Sequence, residues 1–281
     1  MVILAQLYLL FCQELWGVFV RNISANVYVI TFFRVFVGLI FLVVFLLLTK
    51  KNQFLKKVYF SFALVTSGVF LSLTMLTYSY AINHITLANA VFLLYLAPII
   101  AVAIAAILFK EKFTITNIFL LCFALLGLLF LIEFNLPFGL SKFNGYMWGL
   151  SSAMCYSLFI VANRKVLKTI PILVRSLYQL LFATITILPF IDSSIFKLSI
   201  NDIYWLTTMA FFQGFLVIVL FSITMQYLKV IEFSIMSYIE PLVASLIGYL
   251  LYSESLTNLQ LIGCMIIIFS GILQIYNKKF D

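Results

Sequence analysis

The chain has 281 residues, of which 65% are hydrophobic and 9% charged. Water-soluble domains carry about 45–50% apolar and about 25% charged residues, so the solvent this chain is built for is lipid. Its net charge of +8 comes from lysines strewn between apolar runs rather than gathered on one face, which excludes a nucleic-acid footprint.

Ten apolar runs follow one another, each near the roughly 20 residues a membrane-spanning helix needs. They cover residues 3–20, 27–49, 58–82, 86–109, 114–132, 145–163, 171–191, 202–226, 233–252 and 257–276. No basic segment precedes the first run, which is therefore read as a retained helix. The short connections make sequence neighbours spatial neighbours and leave no room for a soluble domain. Cys12, Cys122, Cys155 and Cys264 are scattered, and His84 is the single histidine. That spacing fits no metal, haem or redox motif, so neither a metal nor a cofactor is expected.

Lysine and arginine in the connections set orientation. Lys50, Lys51, Lys56, Lys57, Lys110, Lys112, Arg164, Lys165, Lys168, Lys229, Lys278 and Lys279 fall on one side, and Arg21, Lys142 and Lys197 on the other. This predicts that both termini are cytoplasmic in a cell (inner) membrane.

A duplication organises the chain. Tyr95-Leu-Ala-Pro98, followed by an apolar run to Glu111, returns as Tyr238-Ile-Glu-Pro241 running to Glu254. Tyrosine, proline and glutamate keep one offset, 143 residues, and Thr114 and Thr257 share it. Ten spans then divide into 1–133, a connection at 134–144, and 145–281. With an odd number of spans per copy the second copy enters from the opposite side, so the repeats are expected to be inverted. Each copy holds a proline inside a helix, which frees a carbonyl and breaks or kinks the helix. In lipid such a break is tolerated only against protein or a water-lined cavity. Paired breaks at Pro98 and Pro241 therefore point to a transporter's substrate site. Ile85 lies 13 residues before Pro98 but Ile231 only 10 before Pro241, which predicts that the second copy lacks about one turn at its entry. Leu120 stands where the second copy has Gly263, so packing there need not be symmetric.

The duplicated proline-to-glutamate pattern in ten spans resembles the EamA-type drug/metabolite transporter superfamily. Trp16-Gly17, Arg34, Tyr80-Ala81-Ile-Asn-His-Ile85, Tyr178-Gln179 and Thr257-Asn-Leu-Gln260-Leu-Ile-Gly263 carry the same resemblance. It implies an all-α, ten-span secondary transporter with a cavity between its halves, working by alternating access. Family substrates include amino acids, nucleotide-like metabolites and drugs, and export is the family expectation.

Four charged residues lie inside apolar runs: Glu14, Arg34, Arg175 and Glu240. A charge near the bilayer centre costs about 2.5–3.5 kcal/mol on insertion scales, so each needs a reason. In continuous helices Glu14 and Arg34 lie at one depth. They either pin the first two helices together or meet a charged substrate or coupling ion. Glu240, beside Pro241, is placed to bind an ammonium group or take up a proton, or else to bond local backbone and Ser237. Arg175 is expected to snorkel to the cytoplasm. Glu111 and Glu254 read as helix-end residues. Mid-span Trp16, Tyr95, Tyr156 and Tyr238 need partners for their polar atoms, as do Gln179 and Gln213. Tyr95 and Tyr238 share a helical face with their prolines. Ala97, Ala101 and Ala105, with Gly145 and Gly149, and Ala244 with Gly248, form small-residue faces for close packing.

The substrate-binding candidates are thus Glu14, Trp16, Tyr95, Tyr156, Gln179, Tyr238 and Glu240, with Glu14, Arg34 and Glu240 as ion-pair or coupling residues. Expected partners are a small-molecule substrate, the bilayer and a coupling proton, in a monomer or homodimer. A membrane-embedded enzyme would need clustered acids or histidines, and a channel a ring of charges or carbonyls. Nine acids dispersed over the chain favour neither.

Overall fold

The computed structural model describes residues 2–15, 18–19, 22–50, 59, 61–85, 87–110, 113–133, 143–166, 170–252 and 256–278, with backbone alone at 14, 87, 88, 244, 248, 251, 252, 277 and 278. Most of the described residues are helical, and eight helices among them are long and apolar enough to cross a membrane. Two more apolar helices are shorter, Val2–Gln13 and Ile115–Leu131.

In chain order the helices are α1 (Val2–Glu14), α2 (Val27–Leu48), α3 (Phe62–Ile82), α4 (Leu87–Leu94), α5 (Ala97–Phe109), α6 (Ile115–Leu131) and α7 (Phe143–Lys165). Then come α8 (Ile172–Ile187), α9 (Ile200–Met209), a π-helical segment (Ala210–Leu216), α10 (Val217–Tyr227), α11 (Val230–Ser237), α12 (Ile239–Tyr252) and α13 (Asn258–Lys278). α1 gives way to a turn at Leu15, and Val18 and Phe19 are helical again, Phe19 N donating to the Leu15 carbonyl at 3.0 Å.

Local chemistry sets the helix ends. Asn26 caps α2 by accepting from Val29 N at 2.9 Å, and Thr114 caps α6 by accepting from Asn117 N at 3.2 Å. Ser199 and Asp202 form a reciprocal capping box at α9. Lys50, Lys110 and Glu133 take left-handed backbone (φ 55°, 53° and 57°) where α2, α5 and α6 stop. Within α3, Thr66, Ser67, Thr74, Thr77 and Ser79 bond carbonyls of the preceding turn, so their hydroxyls are satisfied without water.

Lipid-facing positions are large and apolar, as at Leu48, Ile107 and Ile115. One large core joins nearly all the helices, and of three satellite cores two hold its ends. In one satellite, Phe19, Ile23 and Ile30 pack with Leu206 and Met209. Above it, Ser24 N donates to Asp202 at 2.7 Å, and Asn26 Nδ2 donates to Asp192 at 3.1 Å and to Ser194 at 2.9 Å. Those bonds clasp the loop before α2 to the loop before α9. The other satellite joins Ala63 and Leu64 to Val166, Ile170 and Val174, where Tyr59 N donates to the Tyr178 hydroxyl at 3.2 Å.

Glycines mark the closest helix crossings. A Cβ at Gly214, in the π segment, would stand 1.9 Å from the Arg34 carbonyl oxygen, and Gly38 meets Gly214 in turn. Gly127 and Gly263 face each other between α6 and α13, and Gly145 and Gly149 seat Ile85 and Leu93. The small-residue faces of α5 and α7 therefore serve packing.

Two expectations are corrected here. Arg175 does not snorkel: it is 2% exposed, and its Nε donates to the Ile170 carbonyl at 3.0 Å. The chain entering α8 at Pro171 folds back over the guanidinium and gives it a backbone partner in place of water. The second copy also lacks no turn in its helix. α4 and α11 both have eight residues, and Leu87 and Val230 each stand eleven before their proline. The difference lies in the connection that precedes them.

Candidate functional site: two interlocked helix breaks

Pro98 has no N–H to give the Leu94 carbonyl, and its ring crowds that oxygen. Helix α4 accordingly stops at Leu94, turns through Tyr95 and Leu96, and restarts as α5 with Pro98 in its first turn. Pro241 does the same to its own helix. α11 stops at Ser237, turns at Tyr238, and restarts as α12.

The two breaks meet. The Tyr95 hydroxyl donates to Glu240 Oε2 at 3.0 Å, and the Tyr238 hydroxyl donates to the Tyr95 carbonyl at 2.9 Å. The two rings lie 6.1 Å apart, inclined by 33°. Ser234 Oγ, on α11, donates to the Pro98 carbonyl at 3.2 Å. Backbone acceptors beside Pro98 thus find hydroxyl donors on the other broken helix, while the first helix answers through the Tyr95 hydroxyl on the Glu240 side chain. All of this is buried, with Tyr238 at 0% and Glu240 at 3% exposure.

Glu240 stands in the first turn of α12, where the positive end of the helix favours a carboxylate. Gln13 Nε2 adds a second donor to Oε2 at 3.2 Å. Gln13 is held in turn from the π segment, because Gln213 Nε2 donates to the Gln13 carbonyl at 2.9 Å and to that of Cys12 at 3.4 Å. Arg34 lies within electrostatic reach of both Glu240 and Tyr156. Ser237 does not serve Glu240, since its hydroxyl bonds the Phe233 carbonyl at 3.0 Å.

An aromatic wedge from three helices is packed into the core. Phe159 on α7 stacks on Phe221 of α10 at 4.5 Å, and Phe221 meets Phe233 of α11 edge-on at 5.1 Å. Tyr156 stacks on Phe159 at 6.2 Å. On the face where Lys110 and Lys229 lie, α5 packs on α11. On the opposite face, α4 packs on α7 and α12 on α1 and α13, and among the described residues no packed face joins α4 to α12.

Tyr95, Tyr238, Glu240, Arg34 and Tyr156 therefore fall in one neighbourhood. Gln179 does not join it. Fully buried, it donates to Asn163 and accepts from Ser222 at 3.5 Å, in a polar knot of α7, α8 and α10 that also holds Ser176. Trp16, Glu111, Glu254 and the Glu14 side chain lie outside the described residues, and with them the Glu14–Arg34 pair. Sequence reasoning did not anticipate Gln13 or the approach of Arg34 to Glu240. A glutamine beside an intramembrane glutamate was the available signal.

Comparisons with known proteins agree with this architecture. The pattern of the EamA-like transporter family matches residues 1–133 and again residues 143–276. An uncharacterized transporter of Archaeoglobus fulgidus is 28% identical over 257 residues, covering 92% of this chain and 89% of the relative. A solved crystal structure superposes on 100% of this chain and 98% of its own with a TM-score of 0.84 at 16% identity, a likeness of fold alone. The chain belongs to the EamA-like transporter family and is a multi-pass membrane protein that works as a transporter.

Proposed function

We propose that the chain is a secondary active transporter of a small organic metabolite, an amino acid or related compound, exported by alternating access. The observation that carries this is the interlock of the two broken helices on one buried carboxylate, Tyr95 to Glu240 and Tyr238 to Tyr95. A carboxylate at a helix break is suited to bind a cationic group or to exchange a proton, and a joint made of a few hydrogen bonds can open.

In this reading the ten apolar helices are ten spans, with α1 and α6 included and α4–α5, α9–α10 and α11–α12 each counted once. Two observations support inverted halves. The family pattern fits the chain twice. Helix contacts also come in pairs exchanged by a shift of five spans: α3 on α7 answers to α10 on α1, and α2 on the π segment answers to α8 on α3. The lysine-rich face is cytoplasmic, with both termini on it, in the cell membrane. There the Phe159–Phe221–Phe233 wedge and the α5–α11 contact form the closed barrier, and the separation of α4 from α12 is the open side. Tyr95, Tyr156, Tyr238, Glu240, Glu14, Trp16 and Arg34 contact the substrate or its coupling proton, and Gln179 supports them from the second polar knot.

The test is transport in proteoliposomes with a panel of labelled amino acids. Saturable counterflow is expected in the native chain, and Glu240→Gln is expected to abolish the pH dependence of uptake. Unchanged pH dependence in that variant would remove Glu240 from coupling.

A further inference from the structure

The seven-residue π segment, Ala210–Leu216, adjoins two of the groups that act on Glu240. At its end Val217 N reaches back five residues to the Phe212 carbonyl, a wider turn than the α-helix makes. Adjacent residues of the segment serve different helices. Gln213 Nε2 donates to the Gln13 carbonyl at 2.9 Å, and Gln13 Nε2 donates to Glu240 Oε2 at 3.2 Å. At Gly214 a Cβ would stand 1.9 Å from the Arg34 carbonyl oxygen, and Arg34 acts on Glu240 through its charge. No side chain fits that crossing, so glycine sets how closely α2, and Arg34 with it, lies against the segment.

The other half of the molecule has the crossing without the π turn. A Cβ at Gly68 of α3 would stand 2.7 Å from the Gln179 carbonyl oxygen of α8. There α3 is an unbroken α-helix, and Gln179 bonds Asn163 in its own knot. Among the described residues the π turn occurs only in the half whose crossing adjoins Glu240.

Few other groups reach the carboxyl. Among the described residues, Arg34 of α2 and Tyr95 of the α4–α5 turn act on Glu240, and Tyr156 of α7 acts on Arg34 in turn. α1 contributes the neutral Gln13. Glu232 of α11 bonds Lys229 N at the far end of that helix, and α13 carries no charged residue from Asn258 to Tyr276.

We propose that the π segment is the positioning element of the Glu240 site. Gln213 sets a hydrogen-bond donor of the carboxyl through Gln13, and Gly214 sets its counter-charge through the Arg34 backbone. Both are positioning residues, and their importance to transport rests on the reading of Glu240 as the binding or coupling carboxylate. A π turn placed to aim side chains at such a site fits where these turns usually occur.

The test is infrared difference spectroscopy of the purified full chain during a pH titration, with the Glu240 carboxyl band assigned by its loss in Glu240→Gln. A hydrogen-bond donor and a nearby positive charge both favour the ionised carboxyl, so weakening either raises the midpoint. Gln213→Leu and Gly214→Ala are each expected to move it upward by about one pH unit or more. Gln213→Leu should also raise the stretching frequency of the protonated carboxyl as its donor slackens. Gly68→Ala crowds the matching crossing, and is expected to lower Tm as Gly214→Ala does while leaving the midpoint unchanged. If Gly214→Ala does not fold, Gly38→Ala, whose Cβ meets the Gly214 backbone at 2.8 Å, takes its place. A band unaltered in midpoint and frequency by both variants, or moved as far by Gly68→Ala, would overturn the proposal. A moved midpoint beside counterflow that ignores pH would keep the positioning role and remove the coupling role. An unmoved midpoint, with pH-dependent counterflow still lost in Glu240→Gln, would do the reverse.

Discussion

The two helix breaks share a backbone and differ in chemistry. Each has an eight-residue helix, a turn at a tyrosine, and a proline three residues later. Yet the residue before the proline is Ala97 in one and Glu240 in the other, both buried. The tyrosines diverge accordingly, Tyr95 bonding the carboxylate and Tyr238 a backbone carbonyl. The arms differ as well. At the position where α11 carries Phe233, α4 carries Ala90. Phe233 is wedged against Phe221, whereas Ala90 packs with Ala81, Ile85 and Leu93. In the proposed reading duplication explains the joint, and divergence explains its carboxyl and the face on which it is closed.

The comparison can be broken at graded cost. Phe233→Ala should have the largest effect, about 3–5 kcal/mol of lost stability, as for other buried phenylalanines. Thermal unfolding would show it, and proteoliposomes should leak substrate if the wedge is the barrier; a stable, tight variant would contradict that role. Ala97→Glu places a second carboxylate at the fully buried equivalent position, at about 2.5–3.5 kcal/mol on insertion scales. Loss of folded yield is expected, and a native-like yield would mean that the two sites are interchangeable. Tyr95→Phe removes a hydrogen bond to the Glu240 carboxyl and should cost about 1.5–3 kcal/mol where Glu240 is ionised, and Tyr238→Phe, at a neutral carbonyl, about 0.5–1.5 kcal/mol. Equal losses, or the reverse order, would count against the asymmetry.

The smallest effect concerns the clasp far from the breaks. Hydrogen bonds from Ser194, and then from Asn26, hold the Asp192 carboxyl below the usual carboxylate range. A lowered value means that its contribution is complete above that range and is lost as pH falls through it. Protection of the Ser194 amide, which donates to Asp192 at 3.0 Å, should therefore fall in acid, and Asn26→Ala should lessen that dependence.

Much of this was legible in the chain. The breaks were, because proline acts on the backbone wherever it stands, and Tyr95 and Tyr238 followed from helical spacing. Glu240 stood out because a carboxylate inside an apolar run is costly. Other features depend on tertiary contact and leave no periodic trace. Gln13 and Gln213 bond across 200 residues of chain. Gln179 has the polarity of a site residue, yet its partner is Asn163, one span away in sequence. Among 31 phenylalanines nothing singles out Phe159, Phe221 and Phe233. Arg175 was misread because snorkelling was assumed from depth alone, and the bonding carbonyl of Ile170 lies in a connection whose path the sequence does not specify.

In the proposed cycle the joint between the two broken helices opens on one face as it closes on the other. Spin labels at Lys110 and Lys229 would report the lysine-rich face, and labels at Ile85 and Thr257 the opposite one, in a cysteine-free background. Distances measured by pulsed electron–electron resonance, with and without a transported substrate, should change in opposite directions on the two faces. Distances that stay fixed, or that lengthen together, would contradict the account.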